Sequence, residues 1–120
     1  MDYNSSIHKA CFDGDLEAVK KYLADGCDIN ATNSLRSTPL ACAVAHGHED
    51  VVALLIKEGA DISILDYWGN SAFRWAMQFK LENIIKMLID AGADINDVDV
   101  WKKEDEALVE KLNSTVRDNR

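Results

Sequence analysis

Apolar side chains recur along the chain at i, i+3, i+4 in two interleaved sets of three. Ile7, Ala10 and Cys11 form the first stripe, Leu40, Ala43 and Val44 the second, and Phe73, Ala76 and Met77 the third, each 33 residues after the last. The other set is Val19, Tyr22, Leu23, then Val52, Leu55, Ile56, then Ile85, Leu88, Ile89, again in register. That spacing is one buried face of a helix, so the pattern predicts three pairs of short amphipathic helices. The polar positions between the stripes supply the punctuation. Thr38 followed by Pro39 reads as an N-cap and a first helical residue, where proline's missing N–H costs nothing. Asp15, Glu17, Glu49, Asp50 and Glu82 crowd the first turns of the second helices, where the helix dipole favours negative charge. Gly14 and Gly47 break the chain between paired helices, and Gly26, Gly59 and Gly92 end the second helices in left-handed geometry.

The same period governs short phrases. Gly26-Cys27-Asp28-Ile29-Asn30, Gly59-Ala60-Asp61-Ile62-Ser63 and Gly92-Ala93-Asp94-Ile95-Asn96 are one phrase written three times. Self-similarity at a fixed period of this size signals stacked supersecondary units, not a globule around one core. With Thr38-Pro39-Leu40, the Gly47-His48 turn and the Gly59-Ala60-Asp61 ending, the chain resembles the ankyrin repeat from about Ser5 to about Asn96. The resemblance implies an all-α solenoid of helix-turn-helix units with short β-hairpin loops, in one domain of residues 1–120. The units fall at about 4–33, 34–66 and 67–99, followed by a C-terminal capping helix at about 102–116. The family's histidine after Thr-Pro-Leu is matched only by His8, and Ala41 and Arg74 stand in its place elsewhere. His8 is expected to bond back to its helix start.

Departures from the period carry expectations of their own. Lys80 replaces the turn glycine of the third unit; a left-handed lysine costs up to about 1–2 kcal/mol relative to glycine, which predicts a looser turn. Arg36 stands where the next link has Gly69, which predicts a less regular tip. Lys9 and Lys21 occupy places that are apolar in later units (Cys42 and Trp75; Leu54 and Met87) and are expected on an outer face with no preceding unit. Leu108, Leu112 and Val116 predict an amphipathic helix covering the last repeat. Together these ends read as a complete small array with polar terminal faces.

Composition narrows the partners. The net charge is −8, and residues 101–120 hold equal numbers of basic and acidic side chains, so the excess belongs to the repeats. Such a body repels nucleic acid and anionic membrane and steers basic proteins toward it. No run of about 18 apolar residues occurs, so no membrane span is expected. Three cysteines without a Cys-x-x-Cys motif, Cys11, Cys27 and Cys42, read as small, buried, reduced side chains and imply a cytoplasmic setting.

No catalytic constellation is evident, so neither enzyme activity nor a cofactor is expected. In His46-Gly47-His48-Glu49, Val52 stands where a zinc-protease pattern needs its second histidine, and a metal site needs three or four converging ligands. Asp13 and Asp15 flank a turn glycine and read as a cap and a dipole partner.

The resemblance implies recognition through loop tips and the exposed face of the first helices. At the tips the stacked columns are Asp2, Leu35, Trp68, Trp101, and beside them Ser34, Tyr67, Val100. On the first helices they are Phe12, Ala45, Gln78 and Asp13, His46, Phe79. Large aromatics are favoured interface anchors, so Tyr67, Trp68, Phe79 and Trp101 are the expected anchors. Phe12, Leu35 and Gln78 lie along the same columns, Asp13, His46 and Asn70 are expected to tune, and Asp2 and Asn4 to extend the rim. Trp75 is expected in the contact between units. The function expected is a non-catalytic adaptor or regulator that binds another protein, possibly basic, as a monomer. The alternative is an inhibitor or immunity protein occluding a basic enzyme or toxin.

Overall fold

The computed structural model describes residues 6–94. Six helices occupy them in order: α1 (Ile7–Asp13), α2 (Leu16–Ala24), α3 (Pro39–Ala45), α4 (Glu49–Lys57), α5 (Ala72–Gln78) and α6 (Glu82–Asp90). The expected capping helix, with Leu108, Leu112 and Val116, lies outside the described residues, as do Asp2, Asn4, Val100 and Trp101.

The helices are seven or nine residues long, too short to be stable alone in water. Packing supplies what length does not. First helices stack on first helices (α1 on α3 on α5), second on second (α2 on α4 on α6), and each pair packs internally. The apolar stripes meet in one continuous core in which Ile7, Cys11, Leu40, Val44, Phe73, Val52, Leu55, Ile85 and Leu88 are buried. Alanine in mid-stripe, at Ala10, Ala43 and Ala76, is buried as well and lets neighbouring first helices approach.

The helix starts follow their side chains. Thr38 Oγ1 accepts from the Ala41 N–H at 3.1 Å, Ser71 Oγ from Arg74 N–H at 3.2 Å, and Asp15 Oδ1 from Ala18 N–H at 3.1 Å. In the first repeat the cap is Ser6, whose Oγ accepts from the His8 N–H at 3.2 Å. His8 lies against that cap (Nδ1 3.4 Å from Ser6 Oγ), and its Nε2–H donates across to the Ala31 carbonyl at 2.7 Å, so one ring ties a helix start to the link that follows.

Two expectations of irregularity are corrected. Lys80 adopts φ 55° and closes the same turn as the glycines do. Its N–H reaches Met77 O at 3.1 Å and Leu81 N–H reaches Ala76 O at 3.0 Å, matching Gly47 to Val44 and His48 to Ala43. Arg36 adopts φ 60° and its tip repeats the bonding of the Gly69 tip: Asn33 N–H to Ser37 O at 3.1 Å and Arg36 N–H to Asn33 O at 2.9 Å, against Asp66 to Asn70 and Gly69 to Asp66. The stack dictates the backbone, and the side chain bears a local cost. The links themselves form turns, with no strand among the described residues; neighbouring tips are joined by the Tyr67 N–H donating to Leu35 O at 3.0 Å.

Gly14 is constrained twice over. It sits at φ 72°, and a Cβ there would lie 2.5 Å from His48 Nδ1. The His48 ring covers that turn because its Nε2–H donates to the Phe12 carbonyl at 2.8 Å, joining repeat two to repeat one. Gly47 has the same φ but open space around it. Gly14→Ala is therefore expected to destabilise clearly more than Gly47→Ala, which carries only the left-handed penalty of about 1–2 kcal/mol. Urea unfolding of the two variants measures the difference, and equal losses would show that His48 yields without cost.

Candidate functional site

The loop tips and the inner helix row enclose a groove of about 520 Å³. Its apolar lining comes from Phe12, Leu35, Ala45, Trp68 and Trp75, with Ala41 and Cys42 between them. Lys9, His8, His46, Asn33 and Ser37 supply the polar edge. The volume and the mix of an apolar lining with few polar groups are those of a preformed binding site.

One buried carboxylate fixes the Trp68–Trp75 wall. Asp66 Oδ1 accepts the Trp68 and Asn70 N–H groups, both at 2.9 Å, which folds the tip. Its Oδ2 accepts the Trp75 indole N–H at 2.8 Å. The Trp75 ring then stacks on Phe79, centroids 5.7 Å apart and planes inclined by 20°. Trp68 stays 60 % exposed and meets Tyr67, itself 70 % exposed, edge-on at 5.9 Å. In the preceding link Asn33 Oδ1 takes the Leu35 and Ser37 N–H groups at 2.9 and 3.0 Å. An amide suffices there because Cys42 occupies the place of Trp75 and there is no indole to satisfy. Arg74 Nη1 donates to the Gly69 carbonyl at 3.0 Å and steadies the same tip from the helix side.

At the other end Phe12 and His46 are in ring contact, centroids 3.8 Å apart. Lys9 Nζ pairs with Asp13 at 2.7 Å and lies 5.8 Å from the Phe12 ring centre. Burial holds the His46 pKa below the ordinary histidine value; the neighbouring His48 adds to this and Asp13 opposes it.

Of the expected partner-binding residues, Phe12, Leu35, His46 and Trp68 come together in the groove. Asp13 sits at its edge through Lys9. Tyr67 and Phe79 flank it through their ring contacts with Trp68 and Trp75, Gln78 is exposed at the end of α5, and Asn70 is half-buried in the tip turn. Trp101 lies outside the described residues. One placement is corrected: Lys9, expected on an outer face, lines the groove. Trp75, expected in the contact between units, packs partly buried against the core and also forms the groove's wall. They share one column with Cys42, and all three line the groove. Leu65, which is exposed, was not singled out by the sequence pattern.

The cysteines differ from one another. Burial pushes the Cys11 thiol up to about 12, with Cys42 and Cys27 adding to it, and the Cys42 thiol up to about 11. Both are neutral at physiological pH, so Cys42 presents a small apolar surface to the groove and not a nucleophile. Cys27 and Cys42, expected buried, are only partly so: Cys27 follows the helix-ending glycine at the edge of the core, and Cys42 lines the groove. Among the described residues no three metal-ligating side chains converge, and no helix is long and apolar enough to cross a membrane.

Asp66→Asn is expected to cost about 1–3 kcal/mol in urea unfolding. Whichever way the amide turns, its N–H₂ faces either the indole N–H or the two tip N–H groups. The loss should shrink when Trp75 is replaced by Phe, which removes the indole donor. His46 gives a pH test. A histidine with a lowered folded pKa binds fewer protons folded than unfolded, so stability is lost as pH falls through the ordinary histidine value. His46→Gln is expected to flatten the stability decline between about pH 7.5 and about pH 5.5, read from denaturant midpoints; an unchanged slope would remove His46 from the account.

Comparison with known families agrees with this geometry. A family model described as ankyrin repeats, in three copies, matches residues 7–99, the span that holds all six helices and both described tips. The chain belongs to the ankyrin-repeat family.

Proposed function

We propose that this protein is a non-catalytic adaptor or regulator that grips a partner protein in the groove between its inner helices and its loop tips. Ankyrin repeats are generally protein–protein interaction modules and typically non-catalytic, and the groove supplies the particular surface. The observation that carries the reading is the exposed aromatic set, Trp68, Tyr67, Phe12 and Phe79, held on a scaffold that leaves it open. Soluble proteins seldom expose a contiguous apolar patch without a partner for it. Trp68 and Phe12, both in the groove's lining, are the anchors; Leu35 and His46 line it with them, and Asp13, Asn70 and Gln78 tune the rim. The three free thiols suit a reducing, cytoplasmic setting.

A second reading, an inhibitor or immunity protein occluding a basic enzyme or toxin, draws support from the charge outside the groove. Residues 14–32, 47–65 and 80–94 carry eleven carboxylates against five cations. A basic enzyme would be met by that outer surface and not by the groove.

Affinity capture with quantitative mass spectrometry separates the two. The double variant Phe12→Ala/Trp68→Ala, with its helical circular dichroism intact, is expected to lower capture of the groove's partner at least about tenfold, since an interface anchor is worth about 2 kcal/mol or more. A partner retained by the double variant but released by raising the salt supports the occlusion reading instead.

A further inference from the structure

We infer that the groove, in this acidic protein, recognises an acidic segment of its partner: a bulky apolar side chain with aspartate or glutamate beside it. This rests on the groove being the partner site, and it specifies the chemistry of what enters. The net charge of the chain suggests the opposite, a basic partner. The fold, however, sorts the charge by layer. The inner helices and the two tips, residues 6–13, 33–46 and 66–79, carry three cations, Lys9, Arg36 and Arg74, and only two carboxylates, Asp13 and Asp66.

Neither carboxylate is part of the groove's lining. Asp66 is buried, with its oxygens committed to two backbone N–H groups and the Trp75 indole. Asp13 is held by Lys9 through both oxygens, at 2.9 and 2.7 Å. The cations differ. Lys9 lines the groove, and its pair with Asp13 is half exposed on both sides, so an incoming carboxylate can share the ammonium at little cost. Arg36 projects from the exposed tip next to the lining Leu35, with no carboxylate in salt-bridge range among the described residues. His46, in the lining against the Phe12 ring, offers ring nitrogens with no hydrogen-bond partner among the described residues. An apolar slot with Lys9 in its lining, Arg36 on the adjoining tip and no carboxylate in its lining selects an apolar side chain flanked by negative charge. The acidic outer surface repels the same segment and so directs it to the groove.

The test is selection of a randomised twelve-residue peptide library, displayed on phage, against the intact protein at low salt, with parallel selections on Trp68→Ala and on Lys9→Glu/Arg36→Glu. Clones that depend on Trp68 are expected to combine Trp, Phe or Leu with Asp or Glu. Acidic residues should be enriched at least about threefold over Lys and Arg, and the preference should vanish or reverse on the charge-reversed variant. The affinity of a selected synthetic peptide should fall with added salt. Trp68-dependent clones that are neutral or basic would overturn the inference while leaving the groove as the site. Absence of any Trp68-dependent clone would overturn both. A concentration-dependent dimer in sedimentation, abolished by Trp68→Ala and unaccompanied by peptide selection, would make a second copy of this chain the occupant and also overturn it.

Discussion

Everything in this molecule depends on the burial of short apolar stripes between layers. A seven-residue helix cannot hold itself together, and one helix pair cannot cover its own apolar face. Each layer is therefore stable only because the next one supplies the rest of the core. This explains why the buried set runs unbroken from Ile7 to Ile89. Polar bonds join the layers at turns and links, His48 to Phe12, Asn30 to Asp61 and Tyr67 to Leu35, and Asn83 reaches the Glu49 carboxylate between the second helices. Hydrophobic burial fixes the spacing of the layers; these directional bonds fix their register.

The same constraint makes the groove. Stacking brings one position from each unit into a column, so residues 33 apart become neighbours. Lys9, Cys42 and Trp75 are such a column, and the groove is the space that they and the tips enclose. Because the backbone is dictated by the stack, Asp66 can spend one carboxylate on shaping a tip and orienting an indole together. A polar group so fully satisfied costs little to bury and holds an aromatic wall in one position. Layering also separates charge, leaving the acidic excess on the outer helices and their turns. The net charge of the chain and the character of its groove are thus different quantities.

Much of this was legible in the sequence. The two sets of stripes, the cap at Thr38 and the turn glycines each express a local rule, and the period made them agree. The exposure of Tyr67, Trp68, Phe12 and Phe79 followed from the columns. Where the structure departs from the pattern, packing outweighs local preference. Lys80 and Arg36 were expected to loosen their turns because a left-handed side chain is costly; both turns kept the regular bonding, since the core on either side outweighs a local penalty of about 1–2 kcal/mol. Cys27 was expected inside because its counterparts are alanines, but that place lies at the rim of the core.

What the sequence determined by itself is the repeat, the helices and their buried faces, because those arise from spacing along the chain and from residue-by-residue propensity. What only the tertiary structure decided is the direction in which a column points. Lys9 becomes the edge of a groove and not an end face, and Trp75 adds a groove wall to its packing against the core, since what a column encloses depends on how the layers and tips pack together. The destination of the Asp66 carboxylate was equally hidden: its partner indole is nine residues away in sequence, and nothing in the spacing predicts a bond that forms only once the tip folds back over α5.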